Sequence, residues 1–196
     1  IGVNSGVASG GSGDTLRDSV VIGLGSGWGI SGDNSTMNTA IGHGAGRSDL
    51  PENTRNSTML GAMSTVTGSN QVQLGDSNTT TYVYGTVQNR SDVRDKIEIS
   101  ESSLGLDFVL KLKPSEYKWS YREWKGKKKG NRKHFGFIAQ DVNEIINSDV
   151  YGIVQDHSKN GGADVLSIGY DEFIPILVKA IQEQQKKIEE LEAKLA

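Results

Sequence analysis

An unbroken heptad pattern ends the chain and restricts its fold more than any other feature. Apolar residues recur at alternating spacings of 3 and 4, which is the a/d pattern of a coiled coil. The seam consists of Ile174, Leu177, Ile181, Gln184, Ile188, Leu191 and Leu195. A helix with one apolar stripe must bury it, so we predict a self-associating coiled coil over about residues 172–196. Ile at a with Leu at d favours two strands, and Gln184 is expected to set the register.

A second pattern, an aliphatic residue followed by Gly, recurs in the first half of the chain. Its aliphatic members are Ile1, Ile22, Ile41, Leu60 and Leu74, at spacings of 21, 19, 19 and 14. A fixed period of this size is typical of stacked repeats, and each copy is expected to be a short strand that turns at its Gly. One buried aliphatic side chain per copy does not offset the ordering entropy.

Three chains wound around one axis would give each of these aliphatic side chains two partners. The repeats therefore favour a trimer, whereas the tail favours two strands, and the sequence does not resolve this conflict. A last strand is predicted at residues 80–87, TTYVYGTV, where the chain leaves the repeats.

Composition divides the chain near residue 91. Residues 1–91 hold 17 Gly and 10 charged residues, whereas residues 92–196 hold 8 Gly and 35 charged residues. We predict a Gly-rich repeat domain at 1–91 and a second domain at 92–196. A disordered linker is the alternative for the first half, but linkers do not need aliphatic residues at fixed spacing. The glycines are a weak signal for a phosphate loop, since no Lys-Ser/Thr pair follows them.

Charge and residue types limit the partners. The net charge of −3 gives no general attraction to nucleic acid, and no run of about 18 apolar residues is present to cross a bilayer. The chain has no Cys, and His43, His134 and His157 lack the spacing of metal ligands. We therefore expect no metal, no cofactor, no nucleic acid and no membrane insertion.

The second half has the pattern of a compact α+β module. DFVLKLK (107–113) reads as helix or strand and stops at Pro114. SEYKWSYREW (115–124) alternates aromatic and polar residues, which predicts a strand, and HFGFIA (134–139) is its predicted hairpin partner. AQDVNEIINS (139–148) has helical spacing.

A basic loop joins the two predicted strands of this hairpin. It carries Lys125, Lys127, Lys128, Lys129, Arg132 and Lys133. The loop is either a clamp on an anionic partner or a solvated hairpin tip. We favour the tip because few aromatic residues lie among the charges.

Three segments in order, SDVRDK (91–96), HFGFIAQDV (134–142) and YDEFIPILVKAI (170–181), closely resemble the C-terminal intramolecular chaperone domains of bacteriophage tailspikes, tail fibres and neck appendages. The resemblance covers about residues 91–196. The first half looks like the end of a trimeric phage fibre, and its IGxGxG pattern is also similar to adhesin head repeats. The expected fold is therefore a mainly β N-terminal half, a trimeric β-repeat or β-helix fibre end, followed by an α+β chaperone domain that ends in a coiled-coil helix.

The resemblance also implies a function and site residues. Members of the family drive trimerisation and folding of their own fibre and then release themselves by self-cleavage with a Ser–Lys pair. Ser91 and Lys96 match that pair, and the implied scissile bond is Ser91–Asp92. His134 and Gln140 are expected in packing or site support. The implied partners are two further copies, the upstream fibre of the same chain and, through the full fibre, a host-surface receptor. The implied location is the virion, with the chaperone acting in the host cytoplasm during assembly.

Ser–Lys chemistry makes physical demands that the sequence leaves open. Ser is a poor nucleophile until a base takes its proton. Lys, with a reference pKa of about 10.4, is a base only if burial or a nearby cation lowers that pKa. Five residues of strand span roughly 16 Å, so a turn or a neighbouring chain must bring Lys96 to Ser91. Attack by Ser91 on its own carbonyl would need a four-membered ring, which leaves attack by another subunit, assistance to a water, or a cut at Arg90–Ser91.

Two other classes of function compete with self-cleavage. A permanent trimeric knob or receptor-binding fibre tip would need no chemistry. A glycan-cutting enzyme normally needs two carboxylates across a cleft, and the Gly-rich half offers no convincing pair.

Overall fold

A computed structural model gives the structure of the chain and describes residues 18–30, 35–47, 50–120 and 130–195. These residues form two compact units. One comprises the described residues up to Val87 together with Asp156–Val165, and the other comprises Gln88–Gln155 and the residues from Leu166 onward. The first copy of the repeat, at Ile1, lies outside the described residues.

The first unit is a stack of short parallel strands, one at each described copy of the aliphatic–Gly repeat. The strands are β1 (Val20–Ile22), β2 (Thr39–Ile41), β3 (Thr58–Leu60) and β4 (Val72–Leu74). Each pairs with the next in sequence order. The register aligns Ile22, Ile41, Leu60 and Leu74 in one row. Each copy of the repeat is therefore one rung of a parallel stack.

Glycine ends each rung for a steric reason. Gly23 and Gly42 have φ values of 129° and 137°, a region that side chains disfavour. A Cβ at Gly23 would come within 2.5 Å of the Gly42 carbonyl oxygen, and a Cβ at Gly42 equally close to that of Gly61. Only Gly allows neighbouring rungs to approach this closely.

The interior of the stack differs from the expectation. Ala40 and Met59, the middle residues of their strands, are fully buried and pack with Ile30, Ala45 and Val66. The aliphatic residues before the glycines point outward, with exposed fractions from 36% for Leu60 to 46% for Leu74. The expectation that each copy buries its Ile or Leu is therefore wrong for the single chain, because only alternate strand residues can face one interior.

The strand predicted at residues 80–87 does not form in the single chain. This segment has no strand residues, and Tyr82, Val83, Tyr84 and Val87 are exposed. The alternating pattern is present, but no neighbouring strand in the described part of the chain supplies backbone hydrogen bonds. A single extended segment without a partner is not stable as a strand.

Residues 156–165 belong to the first unit, which the sequence did not predict. The amide of Ala163 donates to the Thr67 carbonyl oxygen at 2.6 Å. The Nδ1 atom of His157 lies 2.5 Å from the Thr67 hydroxyl and 3.0 Å from the Gln71 side-chain nitrogen. His157, which has no metal-ligand spacing in the sequence, therefore has a hydrogen-bonding role here.

The second unit contains the elements of the charged half. They are α1 (Leu106–Val109), β5 (Ser115–Tyr117), β6 (His134–Gly136), α2 (Ala139–Ile145), β7 (Val154–Asp156, whose last residue belongs to the first unit), β8 (Leu166–Ile168) and α3 (Phe173–Leu195). Strands β5 and β6 pair antiparallel with Tyr117 opposite His134, as predicted for the hairpin but over three residues each. The helix predicted at 139–148 forms as α2 but ends at Ile145, because Ile146 is extended. Lys125, Lys127, Lys128 and Lys129 of the predicted basic loop lie outside the described residues.

One hydrophobic core holds the second unit together. Its buried members are Phe108, Val142, Ile146, Ile153, Val154, Phe173 and Ile176. The ring of Phe173 stacks on Phe137 and Phe108, with centroid distances of 5.1 and 6.5 Å. The aromatic pairs join the first turn of α3 to α1 and to the residues after β6.

Helix α3 has two faces with different surroundings. Phe173, Ile176 and Ala180 are buried on the core side. The apolar members of the heptad seam are exposed, from 43% for Ile188 to 89% for Leu195. Glu183 accepts a hydrogen bond from the Leu106 amide at 2.8 Å and so ties α3 to the start of α1. Among the described residues, no helix is apolar and long enough to cross a membrane.

Removal of the Phe108 ring tests this core. We expect Phe108→Ala to lower the free energy of unfolding by about 3–5 kcal/mol, because Phe108 is buried and its loss leaves a cavity. The matched control is Leu110→Ala, two residues on and 72% exposed, which should change it by less than about 0.5 kcal/mol. Urea unfolding measures both, and equal losses would contradict the assigned core.

Candidate functional site

A single turn brings Lys96 back to Ser91. Residues Val93–Asp95 form one turn of 3₁₀ helix, and the Lys96 amide donates to the Val93 carbonyl at 3.2 Å. The side-chain amine of Lys96 then donates to the Ser91 hydroxyl oxygen, with 2.7 Å between Nζ and Oγ. The requirement for a turn, left open by the spacing, is therefore met within one chain.

Asp92 caps this turn with its side chain. Its Oδ1 accepts from the backbone amide of Arg94 at 2.9 Å, as an N-cap residue does. The Arg94 guanidinium donates to both carboxylate oxygens, at 3.0 Å from Nε and 2.6 Å from the terminal nitrogen. The hydrogen bonds from the Arg94 side chain, and then from its amide, lower the pKa of Asp92.

A second ion pair braces the turn from the other side. The Arg90 guanidinium donates to Asp95, with 2.7 Å between Nε and Oδ2 and 3.0 Å from a terminal nitrogen to Oδ1. Arg90 and Asp95 are five residues apart, like Ser91 and Lys96, so the turn joins two adjacent pairs. Exposed ion pairs stabilise weakly, but bidentate geometry fixes orientation.

The pair lies in the open in the single chain. Ser91 and Lys96 are both exposed, as are Arg90, Arg94 and Asp95. The geometry allows proton transfer between the hydroxyl and the amine, since 2.7 Å is hydrogen-bond distance. It provides no burial that would favour a neutral amine.

His134 and Gln140 lie elsewhere in the same unit. The His134 ring stacks on Tyr117 with 5.9 Å between centroids and contacts Trp119 edge-on. Gln140 is exposed in the first turn of α2. In the described part of the chain, neither side chain makes a hydrogen bond or ring contact to Ser91 or Lys96. His134 thus has a packing role, and site support by either residue stays a prediction.

The structure adds residues that the sequence reasoning missed. Arg90, Arg94 and Asp95 form the ion pairs around the turn, and Asn89 donates to Asp171 at 2.6 Å. An Asp followed two residues later by Arg, and opposite charges five residues apart, were the available signals. The described residues contain no group of three or more His, Asp or Glu side chains suited to a metal ion.

Comparison with known proteins bears on the same residues. Residues 91–151 match a family model described as "Chaperone of endosialidase", whose name also classes its members as peptidases. The match begins at Ser91, includes Lys96, His134 and Gln140, and ends before α3. No curated protein matches the chain. The match confirms the resemblance to the intramolecular chaperone domains of phage fibres and supports a chaperone role for this segment.

The capping interaction of Asp92 is expected to depend on pH. Because the pKa of Asp92 is lowered in the folded turn, the cap and the ion pair are present above the ordinary value of 3.8 and are lost as the pH falls through the lowered pKa. We expect ¹³C NMR of a Ser91→Ala chain, in which Asp92 and Arg94 are unchanged, to give Asp92 a titration midpoint below 3.8.

Two arginine variants test whether Arg94 is the cause of the lowered Asp92 pKa. Arg94→Ala removes the guanidinium from Asp92 and should raise the midpoint, whereas Arg90→Ala removes the partner of Asp95 and should leave Asp92 unchanged. An Asp92 midpoint that Arg94→Ala does not move would contradict the assigned ion pair.

Proposed function

We propose, from the premise that residues 91–151 are a chaperone segment of the endosialidase type, that this chain drives trimerisation and folding of a phage fibre and then cuts itself at Ser91–Asp92. The hydrogen bond of 2.7 Å between Lys96 Nζ and Ser91 Oγ carries this proposal. A Ser hydroxyl needs a base within hydrogen-bond distance to become a nucleophile, and the turn provides one. Ser91 and Lys96 are therefore the proposed catalytic residues.

The direction of attack requires more than one chain or a water molecule. Ser91 Oγ is joined to its own carbonyl carbon through Cβ and Cα, so attack on it would close a four-membered ring. In the proposed reaction, Ser91 of one chain attacks the Ser91 carbonyl of another, and Lys96 takes the hydroxyl proton. The peptide bond to Asp92 breaks, and that proton goes to the leaving amine. Water then hydrolyses the ester that remains.

The protonation of Lys96 links the cut to assembly. A Lys amine takes a proton only in its neutral form, which burial favours, and Lys96 is exposed in the single chain. Neighbouring subunits would cover the turn and remove water from it. Cleavage would then follow correct assembly.

Two apolar surfaces support self-association of this chain. One is the exposed heptad seam of α3, and the other is the outward row of Ile22, Ile41, Leu60 and Leu74. Each row lies on a regular element and is aligned, so a second copy presents a matching row. Burial of aliphatic side chains contributes roughly 1.5–3 kcal/mol each. The occupant we propose for both surfaces is another copy of the chain, three in total.

In the proposed function, assembly proceeds in a fixed order that ends with removal of the chaperone. Association of α3 raises the local concentration of the repeat units. Pairing between distant segments is slow, so registration by the coiled coil accelerates it, and residues 80–87 find partners only then. Loss of the chaperone after the cut traps the fibre kinetically. The fibre belongs in the virion, with the chaperone acting in the host cytoplasm.

Substitution at the Ser–Lys pair tests the cut. The unaltered chain should yield a fragment that begins at Asp92, seen by denaturing gel and intact mass. Ser91→Ala should stay full length, and so should Lys96→Arg, because guanidinium keeps a positive donor but does not lose its proton. Ser100→Ala, also exposed, is the control and should be cut like the unaltered chain. Equal cutting of the Ser91→Ala and unaltered chains would overturn the assignment of Ser91 as nucleophile. An unaltered chain that never cuts would instead favour a permanent knob.

Substitution in the seam tests the link to assembly. Ile181→Asp places a carboxylate at a seam position and should abolish the trimer and slow cutting by at least about tenfold, since a buried unpaired charge is costly. Gln182→Asp adds the same charge one residue away, outside the seam, and should change neither. Sedimentation in the Ser91→Ala background reports assembly. Efficient cutting by an unassembled Ile181→Asp chain would overturn the link.

A further inference from the structure

The three-residue turn before α3 contacts the segment that carries the scissile bond. This turn, Tyr170–Glu172, is a 3₁₀ helix that leads directly into Phe173. The side-chain amide of Asn89 donates to the Asp171 carboxylate, with 2.6 Å between Nδ2 and Oδ2. Asn89 lies two residues before Ser91, so the contact holds the chain next to the proposed site.

The turn is itself firmly anchored. The Tyr170 hydroxyl accepts from the Phe137 amide at 3.0 Å, and the two rings stack with 6.2 Å between centroids. A Cβ at Gly136 would collide with that hydroxyl. Phe173, the next residue after the turn, is buried in the core. Asp171 therefore lies in a turn that is hydrogen-bonded and packed onto the core and is continuous with the base of α3.

The remaining hydrogen bonds around Ser91 are local. Ser91 bonds Lys96, Asp92 bonds Arg94, and Arg90 bonds Asp95. Among the described residues 88–100, the hydrogen bond from Asn89 is the one that reaches past residue 100 to another element. Without it, the braced turn is internally ordered, but no hydrogen bond orients it on the rest of the unit.

We infer that Asn89 and Asp171 are positioning residues that couple the coiled-coil helix to self-cleavage. The inference rests on the proposed function, since it concerns the geometry of that cut. Packing of α3 against its copies fixes the orientation of the helix base. The Asn89–Asp171 hydrogen bond transmits this orientation to Ser91, so that the hydroxyl meets the carbonyl of a neighbouring chain. Small misplacement of reacting groups costs large factors in rate.

Exchange of the two side chains tests the Asn89–Asp171 hydrogen bond itself. Asn89→Asp sets two carboxylates against each other and should slow cutting about tenfold. Asp171→Asn replaces a charge-assisted hydrogen bond by a weaker neutral one and should slow cutting by less than Asn89→Asp does. In the double variant Asn89→Asp with Asp171→Asn, the new amide at position 171 donates to the new carboxylate at position 89. The rate should return to within about twofold of the unaltered chain.

The rate is followed by denaturing gel during cell-free synthesis of the full chain. Asn143→Asp, the same change on the exposed side of α2, is the control and should not slow the cut. Sedimentation of Asn89→Asp in the Ser91→Ala background should give the same oligomer as Ser91→Ala alone. If Asn89 served only to stabilise the fold, its substitution would change the oligomer as well.

The outcomes separate this inference from the proposed function. Unslowed cutting by Asn89→Asp, a double variant as slow as the single one, or loss of the oligomer overturns the coupling while the cut itself stands. Failure of the unaltered chain to cut removes the proposed function and the coupling with it.

Discussion

The packing of Phe173 in the core of the second unit is the contact on which the rest of that unit depends. Its ring stacks on Phe108 of α1 and on Phe137, which follows β6. With this ring buried, α3 has one face on the core and its heptad seam in the open. The same anchor supports Tyr170–Glu172 and through it Asn89. The proposed association surface and the proposed site are thus both connected to the packing of Phe173.

In the proposed site, the Ser91–Lys96 geometry is formed, but the burial that catalysis needs is not. The capped turn sets Lys96 against Ser91 within a single chain, using exposed ion pairs that each contribute little. An exposed amine beside an exposed hydroxyl is nevertheless a poor catalyst, because water stabilises the charged form of the amine. Association of several copies would add burial and a target carbonyl. In the proposed function, the chemistry therefore depends on assembly more than on the fold of one chain.

The repeat unit shows what a single chain leaves incomplete. Its interior is filled by small and middle-of-strand residues such as Ala40 and Met59, while the aliphatic row that first marked the repeat faces outward. Residues 80–87 have a strand pattern without a strand. Both features are expected of a segment whose remaining partners are other copies, as we propose.

The sequence by itself determined the periodic elements and the residue types of the site. The repeat spacing located β1–β4, helical spacing located α2, and ordered motifs located Ser91 and Lys96. These are local properties of the chain, set by side-chain period and turn chemistry. The tertiary structure alone decided which repeat residues are buried, that residues 156–165 join the first unit, and that Asn89 meets Asp171. Such contacts join residues far apart in sequence, and no local pattern encodes which distant partner a side chain will reach.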